Sequence, residues 1–216
     1  NKYEIDSLKL HNNKNLFVLK KIRLEENFKI TNFESIQGKY YNNNNFLNDL
    51  FIKKIKDDIS VTAKSLDFST YIEKSLKSID KKNFLDIFQN LNSAVKIDVE
   101  VAKLDDEFSL KNLSGRTIIK NNKAYKVSIS GNFDKDNKFT YTKDQIDGKN
   151  VTTIFSDFAK PFVKKFKFVN GFENGKLDFT SIKINDDLSK SELRIYDFKL
   201  KDMPILTQLL SLASLQ

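Results

Sequence analysis

Val95, Ile97, Val99 and Val101 alternate with Lys96, Asp98 and Glu100, the period-two pattern of a strand with one apolar face and one wet face. The alternation returns at Tyr125, Val127 and Ile129, at Phe139 and Tyr141, at Ile182 and Ile184, and at Leu193 and Ile195. Short connections rich in turn residues separate these runs: 131–137 (GNFDKDN), 171–175 (GFENG) and 185–190 (NDDLSK). Such spacing predicts successive antiparallel strands. Earlier in the chain, 15–24, 28–33 and 59–68 read as further strands.

Helical spacing is confined to four places. Phe46, Leu47, Leu50, Phe51 and Ile55 follow an asparagine run at 42–45 that offers an N-cap. Phe84, Leu85, Phe88 and Leu91 follow Asp80, another candidate cap. Phe155, Phe158, Phe162 and Phe166 share a helical face, which Pro161 must kink or divide. Finally, 204–215 carries Pro204 in its first turn after Asp202, with no charge from Met203 onward. Twelve helical residues span only ~18 Å, too short for a bilayer, so this helix is expected to pack on a sheet, cap an apolar trough or sit at a lipid surface. The fold class predicted is mainly β with a few short helices: a curved antiparallel sheet forming an open groove. Residues 1–92 and 93–216 are two possible sub-units. Because the sequence opens on Asn1 and is still apolar at Leu215, it reads as a segment of a longer, elongated protein.

Composition supports a folded chain, since 39% of residues are hydrophobic, 19 of them Phe. Lys and Arg outnumber Asp and Glu by 37 to 29, a formal charge of +8. The clusters Lys20, Lys21 and Arg23, Lys53, Lys54 and Lys56, and Lys164, Lys165 and Lys167 are scattered among apolar residues, as on the solvated side of amphipathic elements. A nucleic-acid binder gathers its charge on one face with stacking aromatics, so nucleic acid is not expected as a partner. The surplus is compatible with attraction to anionic lipid head groups.

Candidate chemistry is sparse. Without Cys there is no thiolate nucleophile or ligand, and His11 alone cannot supply a histidine metal site or make a triad plausible. Asp134, Asp136 and Asn137 imitate the start of a calcium loop, but Lys138 and Phe139 stand where a ligand and a glycine belong. The pairs Asp57 and Asp58, Asp105 and Asp106, and Asp186 and Asp187 lie in polar stretches that read as turns. No catalytic residue, metal or cofactor is expected, and the chain is read as non-enzymatic.

The last forty-odd residues bring a family into view. Asp197, Phe198 and Leu200, followed by Pro204, Leu206, Leu209, Leu210, Ser211, Leu212, Ala213, Ser214 and Leu215, resemble the strand and apolar run "D-F-x-L … P-x-L-x-x-L-L-S-L-A-S-L" of the AsmA-like family of Gram-negative bacteria. Upstream, 59–77 and 95–104 resemble the strands that precede it. The resemblance departs where Asn174 and Gly175 replace paired glycines, and where Phe158, Lys160 and Pro161 replace small residues. It implies a periplasmic protein held in the inner membrane by an anchor outside this segment. Its long β-trough would pass phospholipid, or another acyl-chain lipid, between inner and outer membranes and support outer-membrane integrity.

On that reading Val95, Ile97, Val99, Val101, Tyr125, Val127, Ile129, Phe139, Tyr141, Ile182, Ile184, Leu193 and Ile195 are the candidate groove residues. Two alternatives remain open: a scaffold for envelope proteins that binds strands at its edges, and a structural spacer whose apolar face is filled by its own helices. Contiguous exposed apolar surface separates lipid from spacer.

Overall fold

The computed structural model describes residues 2–69, 84–134, 137–166, 171–185 and 188–201. Thirteen strands form one sheet: β1 (Tyr3–His11), β2 (Leu16–Leu24), β3 (Ile30–Asn32), β4 (Ser35–Tyr41), β5 (Leu47–Ile55), β6 (Asp58–Asp67), β7 (Ser93–Lys103), β8 (Ser109–Lys120), β9 (Lys123–Asn132), β10 (Lys138–Ile146), β11 (Lys149–Ser156), β12 (Phe172–Lys183) and β13 (Ser189–Leu200). Spatial order follows chain order from β1 to β13, with the short β3 set off beside β2. The mainly β expectation therefore holds. Neighbours are antiparallel except β6 and β7, which run parallel in the register Ile59↔Val95, Val61↔Ile97 and Ala63↔Val99. The connection between them, 68–92, has the dozen or more residues that a parallel return requires.

Two helical expectations are corrected. Over 47–55 the chain is strand β5, and the helix-like spacing arises because both faces of that strand carry apolar residues. Leu50 and Ile52 point to one side, while Phe51 and Ile55 are exposed on the other. The asparagines ahead of it build the hairpin turn instead of a cap. Asn42 Oδ1 accepts the backbone N–H groups of Asn44 and Phe46, and Asn45 adopts φ 55°. The Phe155 to Phe166 stretch divides: Phe155 lies in β11, Phe158 lies in the link, and a short helix α1 (Lys160–Phe166) follows. Pro161 stands in its first turn, where a missing N–H costs no intrahelical bond. A third segment, at Phe84–Ile87, is a single 3-10 turn. The helix expected over 204–215 lies outside the described residues.

Smaller corrections concern strand ends. Phe28 takes φ 60° in a turn, so the strand expected at 28–33 shortens to β3. The GFENG run starts β12 instead of linking two strands.

Three ladders share one kind of interruption. The pairs Asp6 with Lys21, Glu100 with Asn112, and Gly175 with Asp197 are skipped while the register stays the same on either side, and Lys21, Asn112, Asp197 and Gly175 all have positive φ. Each interruption resets the alternation. Apolar positions consequently recur after three residues, at Ile5 and Leu8, Leu19 and Ile22, Val99 and Ala102, and Leu110 and Leu113.

The core is a set of three patches on one side of the sheet. In the first, Phe33 and Phe88, with ring centroids 5.9 Å apart, lie over Ile22, Ile59, Val95 and Ile119. The second packs Phe133 over Ala63, Val99, Ala102, Leu110 and Leu113. Around Phe133 stand the rings of Phe139, Phe158 and Phe162. The third seats Val163 of α1, and Ala159 just before it, on Leu177 and Phe172.

Candidate binding face

Residues paired across a ladder put their side chains on the same side of a sheet, so register traces a face. From β1 the trace runs through Leu8 and Leu10, then Phe17 and Leu19, Ile36, and Leu50 and Ile52. It crosses the parallel joint through Val61 and Ala63 to Ile97 and Val99, and continues through Leu113 to Val127 and Ile129. Phe139 and Tyr141 carry it to Ile154, then to Leu177 and Phe179, and finally to Leu193 and Ile195 on β13. With strands about 4.8 Å apart, this apolar band is about 50 Å across.

Coverage varies along the strands. Near one end the segments around Phe33 and Phe88 close the face, and near the other Phe108, Phe133, Phe158 and α1 do so. Val95 and Val99 are fully buried under these covers, and Ile97, half-buried, touches both patches. Toward β1, Leu8 and Leu10 are exposed, and toward β13 Leu193 is 42% exposed. Ile129, Tyr141, Ile154 and Phe179 are half-buried.

Most of the predicted groove residues meet on this face: Val95, Ile97, Val99, Val127, Ile129, Phe139, Tyr141, Leu193 and Ile195 all lie on it. Tyr125 stands at its polar margin, 36% exposed, with its hydroxyl donating to Gln145 Oε1 at 2.6 Å. Three residues do not join. Val101 lies past the Glu100 interruption, beside Ser65 and Lys111, and faces away from Val99. Ile182 pairs with Val151 and Lys190 on the opposite face, because Ser181 takes the position that would continue Leu177 and Phe179. Ile184 is 58% exposed beyond the end of β12. Ile154, Leu177 and Phe179 went unnoticed in the sequence, although Leu177 and Phe179 alternate over one short step.

A cavity of about 190 Å³ opens on the face between α1 and the last three strands. Ile154, Phe162, Val163, Leu177, Phe179, Leu193 and Ile195 line it, with no polar side chain. An apolar cavity of about 150 Å³ already accepts a benzene-sized guest, and this one is of similar size. A whole lipid would have to lie along the face.

Among the family-like residues, Asp197 takes φ 56° and its carboxylate lies 3.7 Å from Lys176 Nζ. Phe198 stacks on Phe172 at 5.1 Å, and Leu200 packs on the patch under α1. Pro204 to Leu215 lie outside the described residues.

Of the paired carboxylates in the sequence, Asp186 and Asp187 lie outside the described residues. Asp105 Oδ1 caps a turn by accepting from the Glu107 and Phe108 amides, and Asp106 pairs with Lys103. Asp58 lies 3.7 Å from Arg116, and Asp134 Oδ1 accepts the Asn137 amide at a hairpin tip. Among the described residues no cluster of acidic or histidine side chains could hold a metal, and no helix is long and apolar enough to cross a membrane. No family model, curated protein or solved structure matches the chain.

Proposed function

We propose that the chain is a lipid-binding, non-enzymatic segment of an AsmA-like periplasmic protein. Its apolar face would form part of a groove through which phospholipid acyl chains pass between inner and outer membranes. The observation that carries this reading is the band itself: one apolar face followed strand by strand from Leu8 to Ile195, covered by the chain's own side chains near the two strand ends and less closely between them. An acyl chain laid there leaves water at about 0.8 kcal/mol per methylene buried. The resemblance of Asp197 to Leu215 to the AsmA-like signature supports the family, and with it an inner-membrane anchor outside this segment.

Photo-crosslinking residues placed at Ile129, Tyr141 and Ile195 in the full-length protein should capture phospholipid in cells. Lys96 and Glu100, on the opposite face, should not. Equal lipid labelling on both faces would overturn the groove.

A scaffold reading draws on one feature: β13 is an edge of the sheet and carries Tyr196 and Phe198, 37% and 42% exposed. Protein adducts at those two residues, with no lipid adduct on the apolar face, would favour an envelope-protein client over a lipid.

A further inference from the structure

The face opposite the apolar band carries a line of cations drawn from separate strands. Register sets it: Lys20 pairs with Ser35, Ser35 with Lys53, Lys53 with Ser60, Ser60 with Lys96, and Lys96 with Arg116. Paired residues share a face, so β2, β4, β5, β6, β7 and β8 each give one side chain to a single row across the sheet. As far as Lys96, long cations alternate with short serines.

Lys20, Lys53, Lys96 and Arg116 are all exposed. Two carboxylates stand beside the row and are held by cations: Asp58 Oδ2 lies 3.7 Å from Arg116 Nη2, and Glu34 Oε2 lies 2.7 Å from Lys21 Nζ. Among the described residues Lys20, Lys53 and Lys96 enter no ion pair.

Strands about 4.8 Å apart put Lys20, Lys53 and Lys96 about 9.6 Å from one to the next, and the row from Lys20 to Arg116 is about 24 Å long. Successive strands also rotate by about 20° each, so the direction in which the row points turns by about 100° between β2 and β8. A flat bilayer cannot meet all of such a winding line, whereas one flexible chain can follow it. The row holds no aromatic ring on which the bases of a nucleic acid would stack. It holds hydroxyls instead, and past Arg116 it continues through Ser128, Thr142 and Thr153, the last two sharing a hydrogen bond at 2.6 Å. Hydroxyls both donate and accept, which suits the hydroxyls of a sugar. A β-linked glycan with one carboxylate on every second sugar presents its charges at nearly the two-strand spacing.

We infer that this row binds one chain of an acidic polysaccharide, with its carboxylates on Lys20, Lys53 and Lys96 and its hydroxyls on the serines between them. Asp98, two residues from Lys96 on the same face, repels a chain that leaves the row. The site lies on the other face from the lipid groove, and either can fail without the other.

Titration calorimetry of the 216-residue chain at low salt should show binding of a hyaluronan octasaccharide, which bears a carboxylate on every second sugar, and the affinity should fall as salt screens the contacts. A neutral N-acetylglucosamine oligomer of the same length should not bind. K53Q/K96Q should lose about tenfold in hyaluronan affinity, and K20Q/K96Q provides a second route should the first pair fail to fold. K149Q, at the β10 to β11 hairpin, should keep the affinity in full. Absence of hyaluronan binding at low salt overturns the inference, and so does full affinity in a folded row variant. An oligothymidylate of the same charge that binds as tightly as hyaluronan shows that the row reads charge alone and overturns the glycan.

Discussion

Gly115 is where the apolar band comes closest to a backbone. It sits opposite Ile129 in β9, and a Cβ added there would stand 2.7 Å from Ile129 Cα and against the Ser128 carbonyl. Backbone cannot swing aside as a side chain can, so G115A should destabilise the chain by about 1–3 kcal/mol, read as a lower urea midpoint. Asp67 works differently. Burial pushes its carboxyl pKa up, but the Ser69 side chain and amide and the Asn42 side chain outweigh this and hold it below the ordinary aspartate value. A lowered folded pKa contributes stability above the ordinary value, and that contribution disappears as pH falls through the folded one. D67N should therefore be less stable than the parent chain near neutral pH, and their urea midpoints should draw together in acid below the lowered pKa. Such residues were hard to read in advance. Lys21, Asn112 and Asp197 reset the strand alternation through positive φ without being glycine, so nothing in a period-two pattern announced that Val101 would part from Val99.

At the level of elements, alternation was legible wherever one face stayed wet, as in β7, where Lys96, Asp98 and Glu100 are all exposed. It failed where both faces carried large apolar residues. In β5 that mixture imitated a helix, and in β12 the step from Phe179 to Ile182 moved the apolar position to the other side. α1 was legible as a cluster of phenylalanines, but its start depended on Pro161. Ala159 and Ser156 then secure the link: the Ala159 amide donates to Gly175 O at 2.7 Å, and the fully buried Ser156 hydroxyl donates to Phe158 O at 2.8 Å. Phe162 closes the cavity roof and stacks on Phe139 at 6.0 Å. Because Phe162 is only half-buried, F162A should cost less than a full core truncation, roughly 2 kcal/mol. It should also raise the uptake of a small hydrocarbon such as benzene, measured by ligand-induced shifts in melting temperature; unchanged uptake would mean that α1 does not bound the cavity.

Across the whole molecule, the sheet is two local meanders sharing one seam. β1 to β6 and β7 to β13 each advance by antiparallel neighbours, whereas β6 meets β7 in parallel over the connection 68–92. Every contact inside a meander closes a short loop; the seam closes a longer one, and the entropy of closure grows with loop length. Side chains reinforce the seam, since Ile59 with Val95 and Ala63 with Val99 share patches. The two halves should nevertheless come apart there before either one melts. Native-state hydrogen exchange in rising urea should give the β6 and β7 amides that bond across the seam a lower opening energy than the amides inside either half, and a single opening energy for every core amide would contradict that order. A seam that loosens ahead of its flanks gives a long sheet a hinge line, about which its two halves can pivot while each keeps its own shape.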